Sequence, residues 1–553
     1  MKFAVFTFLV LLAALVFRNA SGKPDVNEAS ETPQTTSTPS ESFGGAGSLI
    51  EQWKQTIQDV LTCGVCRTAL FTLQKFLNTE SEIKFFVRTL CRGLQLAKAS
   101  SCQGYAQLYA PHLSYVLKHT NLTAAQMCGV FLGKKCLSNP PSKYEFWILP
   151  LPAKTKQFAP VKNGFFLNKR ILHLSDFHFD PFYKPGALTE CDESLCCRAN
   201  STNGKGAAGY WGHYNNCDAP LQLLENVVEH INKTQANDFD LLIWTGDNNP
   251  HDDWQTTRES ILYTSATVSD LLKKYLSKGK LVFPTLGNHE GMPSDQYALS
   301  HNSKFDTYWL YNKLAEQWSD WLATDAARST FKRGGYFSRS INESLKIISL
   351  NTNLCARMNL WSLYEPIDSA GQLKWLIEEL KASEEIGQRV YILGHIAPGR
   401  KCTPIWFHNY IRIIERFRDV VVGVFYGHTH RDEIKIYYSD KNTNDPIHVA
   451  YVGPSGSVSN VYSYYLNLTE ANEAGEGARL KWRKSYVATE AYGLKTLSTA
   501  EWNRFYHLMN KNDTLFQLYY KNIIRKADSM PNYCNEKCKQ EFAYGPIAQI
   551  DSF

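Results

Sequence analysis

The sequence predicts an α/β fold for the main part of the chain, residues 165–470. Short apolar runs rich in valine and isoleucine alternate there with stretches of helical periodicity, which is the pattern of buried strands connected by helices. Each of five such runs is followed by polar residues that can bind metal ions. Because ligands of α/β sheets collect at the carboxyl ends of the strands, we expect these polar residues to meet at one edge of the sheet.

The five polar motifs occur in a fixed order between residues 176 and 430. Four of them contain a glycine, which permits a tight turn and a close approach of the backbone. In order, each with its preceding apolar run in parentheses, they are Asp176-Phe177-His178 (171–174), Gly246-Asp247 (241–244), Gly287-Asn288-His289-Glu290 (281–283), Gly394-His395 (390–393) and Gly427-His428-Thr429-His430 (420–425).

The residue types in these motifs predict a metal site. Carboxylate, imidazole and amide oxygen are ligands suited to divalent zinc, manganese or iron. Seven such side chains are too many for one tetrahedral ion, but they suit two ions that share a carboxylate. Paired ions about 3.5–4 Å apart can hold both the attacking and the leaving oxygen of a phosphoryl transfer. Any single motif would be a weak signal, whereas all five in order predict a dinuclear centre.

On these motifs the chain resembles the calcineurin-like metallophosphoesterase superfamily. The resemblance implies a β-sandwich flanked by helices and two divalent metal ions, with zinc favoured by family likeness, that activate a water to attack phosphorus. It also implies two ligand sets that share Asp247 as the bridge, namely Asp176, His178, Asp247 and His430 for one ion and Asp247, Asn288, His395 and His428 for the other.

Two further histidines are candidate catalytic residues. In the superfamily, the position of His289 stabilises the transition state or protonates the leaving oxygen. His251, four residues after Asp247, resembles a general-acid position of the acid sphingomyelinase branch, although a loop histidine bonded to backbone is the alternative. Imidazole suits this task because its ordinary pKa of about 6.5 lies near working pH. His173, within the first apolar run, is expected to pack in the core or to support a ligand.

The front of the chain predicts entry into the secretory pathway. Residues 1–22 have a lysine, an apolar run and small residues in the order of a cleaved signal peptide. Residues 23–48 are rich in Ser, Thr, Pro and Glu and are predicted to be a disordered linker. No later run reaches about 18 uncharged apolar residues, so we expect no transmembrane segment. We expect the mature protein to be secreted, lysosomal or both.

Residues 49–140 combine helical periodicity with six cysteines. Six cysteines allow 15 pairings, and the sequence alone does not choose among them. The Cys-x-x-Cys start could indicate zinc or redox chemistry, but a secreted context favours disulfides. The pattern resembles a saposin B-type domain, a small all-α module that engages lipid, and a domain that merely braces the enzyme is the alternative. The resemblance implies the nested pairs Cys63–Cys136, Cys66–Cys128 and Cys91–Cys102.

A metallophosphoesterase preceded by a saposin domain resembles the acid sphingomyelinase family, over roughly residues 50 to 470. A Pro-rich linker is predicted over 141–164, the catalytic domain over 165–470, and a C-terminal helical subdomain without a site of its own over 471–553. By the family pattern the remaining cysteines pair as Cys191–Cys196, Cys197–Cys217, Cys355–Cys402 and Cys534–Cys538. Glycosylation sequons, which suit a secreted or lysosomal glycoprotein, fall at Asn121, Asn200, Asn232, Asn342, Asn467 and Asn512.

One segment departs from the family pattern. After Gly453-Pro454-Ser455 the Asn-Pro dipeptide of the sphingomyelinase branch is missing. This region borders the substrate pocket in the family, so the headgroup preference stays open. Tyr462 and Tyr464 could hold a quaternary ammonium by cation–π attraction, or could simply pack within a strand.

The leading hypothesis is hydrolysis of sphingomyelin to ceramide and phosphocholine by a monomer, with lipid presented by the saposin domain. The expected partner is a sphingomyelin-containing membrane surface or lipoprotein lipid. A net charge of +6 is too small and scattered to indicate nucleic acid. One alternative is a secreted phosphodiesterase for nucleotides or other soluble phosphodiesters, and another class is a non-catalytic lipid-binding saposin protein. A protonated histidine at the leaving group predicts an acid-leaning pH optimum.

Overall fold

The computed structural model describes residues 63–548 except 77–78, 94–96, 156–169, 215, 300–301, 454–460, 528–529 and 544–546. The predicted signal peptide (1–22) and linker (23–48) lie outside the described residues, as do the end of the Pro-rich linker and the segment after Gly453. In the part of the chain that is described, no helix combines the length and the hydropathy needed to span a bilayer.

The N-terminal region is helical, as predicted. Its first two disulfides tie α1 to the end of the region, the third ties α2 to α3, and the pairs are Cys63–Cys136, Cys66–Cys128 and Cys91–Cys102, as the resemblance implies. The fourth helix starts at a capping box, because the Thr123 side chain accepts the N–H of Gln126 and the Gln126 side chain accepts the N–H of Thr123. The helices are α1 (Cys63–Phe76), α2 (Glu80–Gly93), α3 (Ala99–His119) and α4 (Ala124–Leu132), followed by a 3₁₀ turn (Gly133–Cys136).

The catalytic region alternates strands and helices, as the apolar runs predicted. Its elements are β1 (Ile171–Leu174), α5 (Leu221–Gln235), β2 (Leu241–Trp244), α6 (Arg258–Tyr275), β3 (Leu281–Pro284), α7 (Tyr308–Gln317), α8 (Ser319–Leu322), α9 (Asp325–Gly334), β4 (Phe337–Ser340), β5 (Leu345–Ser349), α10 (Gln372–Ile386), β6 (Arg389–Leu393), α11 (Pro404–Arg416), β7 (Val421–Tyr426), β8 (Glu433–Tyr438), β9 (Pro446–Val452) and β10 (Tyr462–Leu466). Short 3₁₀ turns lie at Asn288–Glu290, Thr352–Cys355, Leu360–Leu363 and Ser369–Gly371.

The C-terminal region is mainly helical but also contributes strands. Its elements are α12 (Leu468–Ala474), β11 (Trp482–Val487), α13 (Ala488–Tyr492), α14 (Thr499–Met509), α15 (Asp513–Ile523), α16 (Glu536–Ala543) and β12 (Ile547–Ala548). β11 pairs with β10 in an antiparallel hairpin, and β12 pairs in parallel with β8. The predicted helical character of the C-terminal region is thus confirmed, and its two strands also pair with strands of the catalytic region.

Two sheets form the core. One has three parallel strands in the order β1-β2-β3, and the other has seven strands in the order β12-β8-β9-β7-β6-β5-β4. Within the larger sheet, β5, β6, β7 and β9 are parallel, while β4 and β8 run antiparallel to their neighbours β5 and β9.

Side chains alternate between the two faces of the larger sheet, as strand geometry requires. Ile347 and Leu393 pack in a core that also contains Leu241 of the smaller sheet. Their chain neighbours Ile348 and Ile392 pack with apolar residues of α10 and α11 on the opposite face. The predicted α/β sandwich flanked by helices is thus confirmed.

The remaining disulfides are Cys191–Cys196, Cys197–Cys217, Cys355–Cys402 and Cys534–Cys538. They are the pairs that the family pattern implies, and no cysteine is free.

Candidate metal centre

The five motifs meet where β1, β2, β3, β6 and β7 end. Their carboxylate and imidazole atoms form two groups, in each of which the ligand atoms lie within 4.8 Å of one another. Asn288, which follows β3, places its Oδ1 3.0 Å from His395 Nε2 and 2.8 Å from His428 Nδ1. The two groups are Asp176, His178, Asp247 and His430, and Asp247, His395 and His428, so both contain Asp247, the residue that the family resemblance names as the bridge.

Two histidines of these groups are oriented by backbone carbonyls. His178 Nδ1 lies 2.8 Å from the carbonyl oxygen of Asn249, and His395 Nδ1 lies 2.6 Å from that of Thr245. An Nδ1–H that donates to a carbonyl leaves a lone pair on Nε2, which is how metal-binding histidines are commonly held. His178 Nε2 lies 2.9 Å from His430 Nε2, so nitrogen atoms able to donate lone pairs converge on one point. This arrangement fits a bound cation.

The charges of the site also fit a bound cation. Burial, reinforced by the nearby His251, lowers the pKa of His178 and His430 well below the ordinary value, so both imidazoles are neutral and able to act as ligands. Burial alone would raise the pKa of Asp247, but His395 and His289 outweigh it and hold that pKa well below its usual range. Burial raises the pKa of Asp176 to about 6. Buried carboxylates of this kind require positive charge beside them.

The backbone turns sharply at the ends of these strands. At Gly246, with φ of 87°, a Cβ atom would lie 2.3 Å from the amide nitrogen of Gly287, so only glycine lets the two loops approach. A non-glycine residue in the left-handed region costs about 1–3 kcal/mol, and such strain is concentrated at functional sites. Five of the seven candidate ligands are in that region, namely Asp176 (φ 55°), His178 (41°), Asp247 (60°), His428 (76°) and His430 (57°).

Glu290 holds two of the ligand loops together. Its buried carboxylate accepts the N–H groups of Gly287 at 2.6 Å, Asn248 at 2.7 Å and Asp247 at 3.1 Å. Burial raises its pKa, and the nearby charge of Asp247 acts in the same direction. The sequence showed Glu290 within a motif but gave no role for it.

Each of the two candidate catalytic histidines lies beside an aspartate. His251 Nδ1 lies 2.8 Å from Asp218 Oδ1, and the His251 backbone N–H donates to Asp218 Oδ2. His289 Nδ1 lies 3.0 Å from Asp253 Oδ1. Both rings lie beside His178, with centroid distances of 3.9 Å for His251 and 5.0 Å for His289. Both histidines are therefore at the metal centre.

Neither aspartate was predicted from the sequence. Asp253 stands two residues after His251, and this proximity could have suggested it. Asp218 lies in a loop without periodicity, far from His251 in sequence, and no pattern marks it. His173 is buried in β1 with its Nε2 2.9 Å from Thr245 Oγ1, next to the carbonyl that orients His395, as expected for a supporting residue.

A cavity of about 240 Å³ opens beside the first ligand group. Asp176, His178, His251 and His430 line it, and so does Arg525, which follows α15. One Arg525 nitrogen, Nη2, donates to the backbone carbonyl of His430 at 2.7 Å. The end of α15 therefore reaches the wall of the cavity beside the candidate metal centre, and the expectation that the C-terminal region has no site of its own stays a prediction.

Tyr462 and Tyr464 lie on β10 and are 45% and 39% exposed. Neither is among the described residues that line the cavity. The Lys484 ammonium lies 5.3 Å from the centre of the Tyr462 ring, so this ring already faces a cation. A headgroup contact for these tyrosines stays a prediction.

The sequon asparagines are at or near the surface. Asn121, Asn200, Asn232, Asn342 and Asn512 are exposed, and Asn467 is half-buried. Their positions are compatible with glycosylation, which stays a prediction.

Helix α3 of the N-terminal region contacts loops that carry site residues. A Cβ atom at Gly104 would lie 2.0 Å from the carbonyl oxygen of Trp254, which is next to Asp253. The Tyr109 hydroxyl donates to the carbonyl of Ser294 at 3.0 Å, and the Ser294 hydroxyl donates to the carbonyl of Asn288 at 3.3 Å. The N-terminal region is thus linked to a candidate ligand by two hydrogen bonds.

Comparison with known families accounts for most of the chain. The model described as calcineurin-like phosphoesterase matches residues 169–432, and the model described as acid sphingomyelin phosphodiesterase C-terminal region matches residues 435–552. The second match begins within β8, so it includes strands of the larger sheet as well as the C-terminal helices.

Three curated proteins illustrate the similarity. Sphingomyelin phosphodiesterase of Bos taurus is 34% identical over 514 residues, covering 87% of this chain and 80% of that protein. Sphingomyelin phosphodiesterase B of Dictyostelium discoideum is 32% identical over 490 residues, covering 83% and 75%. Cyclic GMP-AMP phosphodiesterase SMPDL3A of Mus musculus is 31% identical over 428 residues, covering 71% and 90%.

Proposed function

This chain belongs to the acid sphingomyelin phosphodiesterase family, and on that premise we propose that it hydrolyses sphingomyelin to ceramide and phosphocholine. The observation that carries the proposal is the convergence of the candidate ligands into two groups that share Asp247. A non-catalytic lipid-binding protein would not need this buried set of ligands. Phosphodiester hydrolysis is the reaction for which such a set is suited.

Two divalent ions held by these groups would supply activation of the attacking water and neutralise charge on the phosphate oxygens. Asp176, His178 and His430 would hold one ion, and Asn288, His395 and His428 the other, with Asp247 shared. Zinc is the proposed metal, since carboxylate and imidazole are usual zinc ligands, although the same donors accept manganese or iron.

The histidine–aspartate pairs would provide proton transfer. We assign the general-acid role to His251, because its ring lines the cavity and its side chain is 37% exposed. Asp218 would hold the ring in position and stabilise its charged form, so that the ring can donate a proton to the departing ceramide oxygen. His289, whose backbone N–H donates to Asp247 and whose ring lies beside Asp253, would stabilise charge on the phosphate.

The N-terminal helices would present the lipid. Phe71 on α1 and Phe85 on α2 are 54% and 62% exposed, and exposed aromatic side chains of this size suit contact with a lipid surface. This supports a saposin-type domain over 49–140, acting on a sphingomyelin-containing membrane or on lipoprotein lipid. The disulfides support an oxidising compartment, which suits the proposed secretion or lysosomal delivery.

The test is phosphocholine release from sphingomyelin vesicles at pH 5, with bis(p-nitrophenyl) phosphate as a soluble substrate. The intact protein should cleave both, and Asp247→Asn should cleave neither and should lose bound metal. Asp445→Asn, which makes the same change at a half-buried aspartate remote from the cavity, should behave as the intact protein. Cleavage of the soluble diester alone would support the proposed metal centre and would exclude sphingomyelin as the substrate.

A second candidate function is hydrolysis of soluble phosphodiesters. It is favoured by the similarity to the mouse cyclic GMP-AMP phosphodiesterase, whose match covers 71% of this chain, against 87% for the bovine protein. The ratio of kcat/KM for vesicle sphingomyelin to that for a cyclic dinucleotide separates the two functions.

A further inference from the structure

Arg525 differs from the other cations of the cavity wall. Among the described residues that line the cavity, the remaining basic side chains are histidines. Arginine keeps its charge at any working pH. Arg525 is therefore the permanent positive charge of the part of this wall that the structure describes.

The Arg525 guanidinium has N–H donors in addition to the one that binds the His430 carbonyl. Its Nη2 donates to the His430 carbonyl, and an arginine has five N–H donors in a planar fork. Of the two carboxylates of the wall, Asp218 holds His251 and Asp176 accepts the backbone N–H of His428 at 2.9 Å, while the charges of Asp176 and of the nearby Asp432 also act on Arg525. Arg525 is exposed to solvent in the cavity, so its other donors can reach a ligand.

The backbone at Arg525 is a second, independent observation. Arg525 and Lys526 both have φ of 55°, in the left-handed region, directly after the end of α15. Helices usually end in this conformation on a glycine, because a side chain there is strained. The chain carries arginine at this position, and the conformation directs it to the loop of His430.

We propose that Arg525 is a substrate-binding residue whose guanidinium binds a non-bridging oxygen of the phosphodiester in this cavity. The inference rests on the proposed phosphodiesterase function and names a further residue for it. A planar guanidinium matches a phosphate with two parallel hydrogen bonds, which a lysine ammonium cannot reproduce. The C-terminal region thereby supplies part of the substrate site and not only support for the fold.

The test uses the full chain with bis(p-nitrophenyl) phosphate as substrate and inorganic phosphate as competitive inhibitor. For Arg525→Gln, the inhibition constant of phosphate should rise about tenfold or more, and kcat/KM should fall by a similar factor. Arg525→Lys should be intermediate, because it keeps the charge but not the fork. Arg504→Gln, the same change at an exposed arginine of α14 paired with Glu501, should have no effect.

Arg525→Gly separates binding from folding. Glycine relieves the left-handed strain, so its Tm should equal or exceed that of the intact protein, while phosphate inhibition weakens as in Arg525→Gln. An unchanged inhibition constant in the glutamine variant would overturn the proposal. So would a loss of activity that tracks a loss of bound metal and is restored by added metal, since Arg525 would then merely support His430. Neither readout uses sphingomyelin, so a failure of the lipid assignment is seen separately.

Discussion

The N-terminal and C-terminal regions both pack against the catalytic sheets, but they are attached in different ways. The N-terminal helices have a core of their own, which extends to a few catalytic residues such as Phe305 and Trp361. The C-terminal side chains Trp502, Phe505 and Tyr519 belong to the same core as the strands of both sheets. The first region is therefore a docked module, whereas the second is an integral part of the catalytic fold.

This difference predicts what each region controls. Substitutions that disrupt the C-terminal core should abolish hydrolysis of every substrate, since the loops that carry the candidate ligands follow strands of the same sheets. Damage to the N-terminal core should mainly affect substrate that must be taken from a lipid surface. The two regions also differ in how they reach the site, because α3 contacts it through loops and the C-terminal region through Arg525.

The largest expected effect is that of Trp502→Ala. Trp502 is 2% exposed and packs against Tyr451, Tyr492 and Phe505. Removing such a side chain costs about 3–5 kcal/mol. We expect a lower midpoint in urea unfolding and parallel loss of activity on vesicles and on the soluble diester. Leu508→Ala, at a 45% exposed position of the same helix, should change stability by less than about 0.5 kcal/mol.

Met127→Ala tests the docked module. Met127 is fully buried in the N-terminal core, and its truncation should cost about 2–5 kcal/mol within that region. We expect calorimetry to show a lower first transition with an unchanged catalytic transition, and vesicle activity to fall much further than soluble-diester activity. Lys118→Ala, at an exposed position of α3, is the control. Equal loss of both activities would contradict the distinction between the regions.

The contact between the regions should weaken in acid. His112 of α3 accepts a hydrogen bond from Trp361 Nε1 at 3.0 Å, and burial, together with the charges of Lys304 and Arg258, lowers its pKa to about 3. A detached His112 would bind a proton below about pH 6.5, whereas the docked one does not until about pH 3. The contact is therefore strongest above pH 6.5 and weakens as pH falls through this window.

Between pH 6.5 and pH 5 the free energy that stabilises the contact of α3 with the catalytic region should fall by about 2 kcal/mol. The first calorimetric transition should fall over this range in the intact protein, and much less in His112→Gln. His119→Gln, an exposed position on the same helix, should keep the dependence. If the first calorimetric transition of the intact protein does not depend on pH, docking of the N-terminal region does not bury a neutral His112.

The smallest effect is expected for Tyr109→Phe. The change removes the hydrogen bond to Ser294, worth about 1 kcal/mol, without altering the packing of the ring. Because Ser294 also binds the carbonyl of Asn288, we expect kcat for the soluble diester to fall by about fivefold or less. Tyr263→Phe, at a 56% exposed position, should leave kcat unchanged.

The sequence predicted that these polar residues would meet, because strand ends and ligand chemistry are both local signals, whereas the division into two ligand sets came from the family resemblance. Asp176 and Asp247 lie two and three residues after the end of an apolar run, and parallel strands bring such ends together. Asp218 and Arg525 were missed because their contacts depend on how loops and a helix end fold back over the sheet. β12 was missed as well, since two residues are too short a run to show strand periodicity.

The place of β12 has a consequence for synthesis of the chain. It covers the edge of β8, yet the two strands lie far apart in sequence. Because the ribosome synthesises the chain in order, β8 is complete well before β12. The edge of β8 in the larger sheet therefore stays exposed until β12 emerges. Open strand edges can pair with other chains, so we expect the nascent protein to be most prone to mispairing during this interval.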